Sequence, residues 1–419
     1  MLKQRKLQGA TMAPNQETVP ERVRPRTSPT LIPRAALWLR LFGVSTRADD
    51  VRLAALRAAT LQSDPLADAL VDAMAAAPAG QGRRQFEAAL EHGSACVEHA
   101  PPALVQLFAQ VETTPAWLDR VQLKRGAEAM LRQGAEGLCA LSAVSLMGGY
   151  LSSNATKPLA QTGALLNMAP RRLAETTQFV WAVASSGALE RDTAGFKACL
   201  RVRVMHAFVR RQLSAAPTWR RELWGVPINQ RDMVATHLSF TLMFVLGVSA
   251  LGRIVTTDER DAIVHLWRYV SFLLGTPDVL LPKTFRETAE LGALFNISEP
   301  GPDADGRLLA RALMSAWGVD APRIGGRPDA GLFGSFMQGY ARFVLGGQAA
   351  DRLGIPDTWW QHLPPVLALL RLSSELYTLH VSGRGVEHIE AGRRIIERQL
   401  HATLHGAPAR YVARNETAA

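Results

Sequence analysis

From Ala35 almost to the C-terminus, apolar residues recur at steps of three and four, the period of helices with one buried face. Alternating runs of strand length are missing, and no segment repeats another. The pattern predicts an all-α fold, a large single helical domain. Several helices mark their own ends. Pro170 stands at a first helical position and Gly187 closes that helix. Asn229 with Asp232 resembles a capping box ahead of the apolar run at Met233–Val248. Thr256 with Glu259 is a second capping pair, and Gly275 followed by Pro277 is a stop, so 258–274 reads as one helix. The Gly- and Pro-rich stretch 299–328 reads as a loop pair around one short helix, an insertion within the domain. Residues 1–34, rich in Pro, Thr and Arg, read as a disordered basic tail, leaving 35–419 as the helical domain.

Composition narrows the function classes. The net charge is +10, and residues 1–34 hold seven basic residues against two acidic ones, half of that excess. The rest of the chain is only mildly basic, which argues against nucleic acid as a partner. The tail could make weak contact with an anionic membrane surface; a solvated tail is the plainer reading. Cys96, Cys139 and Cys199 have no CxxC spacing, so neither a disulfide framework nor a cysteine zinc site is expected. No apolar segment follows the N-terminal charges, and the apolar run 238–252, 15 residues long, is shorter than the roughly 20 that span a bilayer. A cytoplasmic protein is the expectation.

The candidate chemistry centres on Lys197–Leu213, KACLRVRVMHAFVRRQL. Cys199, Val202, His206, Val209 and Leu213 share one helix face, with Arg203 and Arg210 one turn to either side of His206. A histidine on an apolar face needs partners for its ring nitrogens. From this helix alone a satisfied core histidine and an iron ligand both stay open. Arg172, Thr176, Phe179 and Val183 share another face, either a helix end meeting solvent or the edge of a site. His237 and His265 lie on apolar helices, and neither has a partner at Glu-x-x-His or His-x-x-x-His spacing. Nucleophile elbows, phosphate loops and dinucleotide fingerprints do not occur.

The motifs carry a resemblance. LRVRVMHAFVRR (200–211) and PRRLAETTQFVW (170–181) resemble the haem-ligand and pocket helices of the latex clearing proteins (rubber oxygenases) and the wider mycophenolate-pathway oxygenase family. KPLAQTGAL (157–165), WGVPINQRDM (224–233) and HLWRYVSFLLG (265–275) match as well, so the resemblance covers about 117–275. It implies a globin-like helical core holding one haem b, with His206 as the proximal iron ligand. Arg172 and Thr176 would then lie at the haem pocket with catalytic roles, His206 being 34 residues beyond Arg172. From their place one turn either side of His206, Arg203 and Arg210 are expected to pair with the haem propionates. The resemblance further implies dioxygen as co-substrate and cleavage of carbon–carbon double bonds in an apolar small molecule or isoprenoid. The sequence departs from the rubber-cleaving members at two positions. Glu175 replaces a lysine and Thr156 a glutamate, with Lys157 beside the latter. These departures put distal chemistry and substrate in question and favour, as the alternative, a haem-binding sensor or carrier without turnover.

Overall fold

The computed structural model describes residues 49–162, 169–185, 187, 189–318, 328–380 and 384–404, together with positions 20, 23, 37, 40 and 43. Among these residues the regular structure is helical throughout. In chain order the principal helices are α1 (Asp50–Ala58), α2 (Pro65–Ala76), α3 (Gln81–His92), α4 (Pro102–Glu112) and α5 (Arg120–Leu131). Then come α6 (134–149), α7 (Lys157–Thr162), α8 (Ala169–Ala184), α9 (Ala194–Ala215), α10 (Gln230–Ala250) and α11 (Thr257–Leu273). The chain continues through α12 (Phe285–Ser298), α13 (Ala304–Ala316), α14 (Pro328–Leu345), α15 (Gly347–Leu353), α16 (Leu363–His380) and α17 (Arg384–Leu404).

The start of α11 shows local chemistry setting a boundary. Thr256 Oγ1 accepts from the Glu259 backbone N–H at 3.3 Å while the Glu259 carboxylate accepts from the Thr256 N–H at 2.8 Å. Two orphan donors of the first turn are thereby satisfied. The helix then runs to Leu273 and stops at Gly275, whose φ is +88°. Packed against it is α5, and the approach is so close that a Cβ on Gly126 would collide with the Ala262 carbonyl. At the centre Trp267 of α11 is buried, donates its indole N–H to Met130 Sδ at 3.1 Å and stacks on Phe240 of α10 with centroids 4.0 Å apart. Phe179 of α8 meets the same indole at 6.4 Å. One aromatic cluster thus fixes α8, α10 and α11 together, and α9 joins the same core through Phe196, Cys199 and Leu200.

A buried ion-pair knot closes the other end. Arg132 contacts Glu259 at 2.9 Å, and Arg253 contacts Glu375 of α16 at 2.5 Å. Helix α10 is long and apolar enough, by length and composition, to cross a membrane, yet 67% of its apolar window is buried in the core. The stretch 299–328 contains the 13-residue α13, started by an Asp303 cap, and its Leu309, Ala310 and Leu313 belong to the main core. Of the N-terminal segment, Pro20 and Val23 are described and both are buried, with Pro20 set against Gly225; the rest of 1–34 lies outside the described residues.

Candidate active site

The helix bearing His206 is positioned by charge. On α9, Arg203 grips Asp64 with Nε–Oδ2 at 2.6 Å and Nη2–Oδ1 at 2.9 Å, and Nη2 also donates to Gln110 at 2.9 Å. Asp64 is the N-cap of α2, so one carboxylate both starts α2 and docks α9 on it. Two turns on, Arg210 pairs with Asp68 and donates to the carbonyls of Pro227 and Ile228, each at 3.2 Å. The two guanidinium groups expected to meet propionates are therefore engaged with carboxylates of α2. The sequence could not show this, because Asp64 and Asp68 lie 139 and 142 residues away. The most buried stripe of α9 runs through Phe196, Leu200, Arg203, Ala207 and Arg210, while Val202, His206 and Val209 are half-buried.

His206 lies between these anchors. Its Nδ1 is buried and has no hydrogen-bond partner among the described residues. Burial, reinforced by the charge of Arg210 and opposed by that of Asp64, lowers its pKa to about 4. The ring is neutral at pH 7, the form a metal ligand requires. His237 is also held near 4 by burial; its Nδ1 faces Ser271 Oγ at 3.2 Å, while its Nε2, like His206 Nδ1, is buried without a hydrogen-bond partner among the described residues. His265 accepts from the Asp119 N–H at 3.0 Å and is a structural histidine.

Beside α8 is a cavity of about 830 Å³, within the 300–1,000 Å³ typical of small-molecule and cofactor sites. Leu173, Thr176, Thr177 and Val180 of α8 form one wall. Thr156 and Leu159 form the rim nearby, while Arg172 lies within α8 with its side chain outside the described set. The opposite walls come from two π-helical turns, Leu141–Leu146 in α6 and Ser239–Met243 in α10, which pack on each other. Such turns shift the backbone ladder by one residue and concentrate at functional sites. Leu141, Leu146, Phe240, Leu242, Met243 and Leu246 make this side predominantly apolar. The far end is polar. Arg231, fully buried, holds Glu299 at 2.9 Å and Ser298 at 2.8 Å, and Ser152 donates to Glu299 at 2.9 Å.

His206 is not among the residues of the cavity wall. The side chains of 163–172, which connect Leu159 to Leu173 in sequence, lie outside the described set. Lys157 is bound by Asp303 and Asp305, each at 2.5 Å, and Thr156 Oγ1 donates to the Ser153 carbonyl at 2.8 Å. Glu175 is buried. Among the described residues no three His, Cys, Asp or Glu stand together as a metal site. A buried, neutral histidine with an unpartnered ring nitrogen has the chemistry to hold a cofactor's metal; His206 Nδ1 and His237 Nε2 both meet that description, and His206 is the one on which the motif resemblance falls. The π-turn walls were not foreseen; the sequence signal was only a run of small residues, Gly137–Met147.

Comparison with known proteins agrees with this architecture. Residues 131–374 match the family described as ER-bound oxygenase mpaB/B′/rubber oxygenase, catalytic domain. The rubber oxygenase of Streptomyces sp. (strain K30) is 24% identical over 263 residues, covering 61% of this chain and 61% of that protein. The match thus spans less than two thirds of the relative's length. A solved structure of latex clearing protein LCP in the closed state superposes with a TM-score of 0.54 at 20% identity, over 80% of this chain and 88% of the other, and shows a shared fold. The family match reaches about a hundred residues beyond the 117–275 segment legible by motif, into α16. With more than half of its length matched, this chain belongs to the mpaB/B′ and rubber oxygenase catalytic-domain family.

Proposed function

We propose that the protein is a haem b-dependent oxygenase that uses dioxygen to cleave a carbon–carbon double bond in an unsaturated apolar substrate, an isoprenoid or similar molecule. The observation that carries this reading is the cavity: all its wall residues fall within 131–374, and Thr176 is one of them. In the balanced reaction one alkene and one dioxygen give two carbonyl groups, so no external reductant is consumed. When bound, haem supplies an iron centre that binds and activates dioxygen. His206 would hold that iron, because burial keeps its ring neutral across the physiological range. Arg203 and Arg210 act on this ligand indirectly, locking α9 to α2 through Asp64 and Asp68. The resemblance supports pocket roles for Arg172 and Thr176, of which Thr176 lines the cavity, and Leu173, Val180, Phe240 and Leu246 would give the substrate an apolar bed that excludes water.

The test is His206→Ala, purified from haem-supplemented cells. Loss of the Soret band and of stoichiometric b-type haem by pyridine haemochrome is expected, with an unchanged circular-dichroism spectrum. Full haem retention with an unaltered spectrum would remove the ligand assignment. A haem-binding sensor or carrier is the second reading, motivated by Thr156 and Glu175 at the two departing positions. Sustained dioxygen uptake with a polyene excludes it.

A further inference from the structure

Helix α16 (Leu363–His380) is amphipathic in the reverse of the usual sense. Pro364, Ala368, Arg371 and Glu375 recur at steps of four and three, so they share one face, and that face is turned to the protein. Ala368 lies so close to Gly252, just past the end of α10, that a Cβ on the glycine would collide with its backbone. Both charged side chains of the helix point the same way. Glu375, 4% exposed, takes Arg253 at 2.5 Å and Arg132 at 3.6 Å, and Arg371 takes Glu136 at 2.5 Å. The apolar residues are turned out: Val366, Leu369, Leu370, Leu372, Leu376 and Tyr377 are 44–74% exposed. With Val366 as position a of a heptad, these six occupy positions a, d, e and g, the flank through which paired helices meet, and the small Ser373 stands at the second a. Single exposed leucines are ordinary. Six such residues on one helix flank present on the order of 600 Å² of apolar surface, the upper end of what a monomer leaves to water.

We propose that this flank is a homodimer interface, in which α16 helices of two copies of the chain meet across a two-fold axis. Area, charge and spacing each select a second copy as the occupant. Two such faces together bury about 1,200 Å², the lower end of stable protein interfaces. The exposed stripe carries no charged residue, so copies that each hold a net +10 can approach there without like charges in contact. A two-fold contact uses the same patch on both sides, and a heptad flank is complementary to another of its kind. A helix that lies on a bilayer instead flanks its apolar face with Lys and Arg; here the one arginine of α16 is held by Glu136.

The experiment is sedimentation velocity on the full-length protein and on two double variants, Leu369→Glu with Leu370→Glu and Leu369→Lys with Leu370→Lys, across the micromolar range. The unaltered protein should sediment with twice the 45.6 kDa mass of one chain. Each variant by itself should sediment as a single chain, because like charges then face one another across the axis. Both positions are exposed, so an unchanged circular-dichroism spectrum is expected and reports an intact fold. Mixing the Glu and Lys variants should restore the dimer, which a merely damaged fold does not do. A dimer that persists in the Glu variant alone, or a mixture that stays monomeric, assigns association to another face and overturns the proposal. An unaltered protein that is monomeric throughout overturns it as well, and flotation with phosphatidylcholine–phosphatidylglycerol vesicles in that case gives the face to a bilayer. None of these outcomes bears on the haem or oxygenase reading.

Discussion

Helix α9, which carries His206, and helix α10, which lines the cavity with α6, bury polar groups in different ways. On α9 each buried guanidinium is matched to a carboxylate, Arg203 to Asp64 and Arg210 to Asp68. Along α10 and the facing α6 the backbone loosens into π turns, and Ser145 is left unpaired on the wall. The first arrangement fixes a helix in one place. The second leaves a buried hydroxyl without a hydrogen-bond partner among the described residues, at a cost of roughly 1–3 kcal/mol. The ion-paired helix and the π-turn cavity wall are thus separate devices within one core.

The largest test of this contrast is to strip one partner from the rigid side. Arg203→Met leaves Asp64 buried and uncompensated and should lower unfolding stability by about 3–5 kcal/mol in urea titrations. Adding Asp64→Leu should recover much of that loss, since a well-packed apolar pair replaces a buried ion pair with little penalty. Additive losses in the double variant would show that the two residues act independently. Gly275→Ala is next. At φ +88° a Cβ is strained, and it would also collide with the Asp64–Arg203 pair. A destabilisation of about 2–3 kcal/mol is expected, combining left-handed backbone strain with overpacking.

The pH dependence follows. His237 has its folded pKa lowered from 6.5 to about 4 by burial. Above pH 6.5 both folded and unfolded chains hold the ring neutral, and the residue contributes no slope. Between 6.5 and 4 the unfolded chain binds a proton that the folded chain refuses, so stability falls as pH falls, by about 3 kcal/mol at the lower limit. In the haem-free protein His206 adds a drop in the same direction and the same window. His237→Leu should flatten its share of the slope, and an unchanged slope would assign the acid sensitivity elsewhere. The smallest effect is expected at the start of α7. Lys157→Met removes a half-shielded contact with Asp303 and Asp305, worth about 1 kcal/mol. It should leave haem content unchanged, and a haem-depleted variant would promote Lys157 from a surface tie to a pocket residue.

Much of this molecule was legible in one dimension. Periodicity, the Thr256–Glu259 box and the Gly275 stop determined an all-α chain and placed α11 within one residue at each end. Those signals are local: caps and breakers act over three or four residues, and the chain carries their partners next to them. The spacing of Arg172, Thr176 and His206 carried the family for the same reason, since one helix turn and one connection fix it. Tertiary structure alone decided the rest. The partners of Arg203 and Arg210 come from α2, and the cavity wall combines turns nearly a hundred residues apart in sequence. Pairing of buried charge and the lining of a cavity depend on which helix faces which, and no local pattern encodes that.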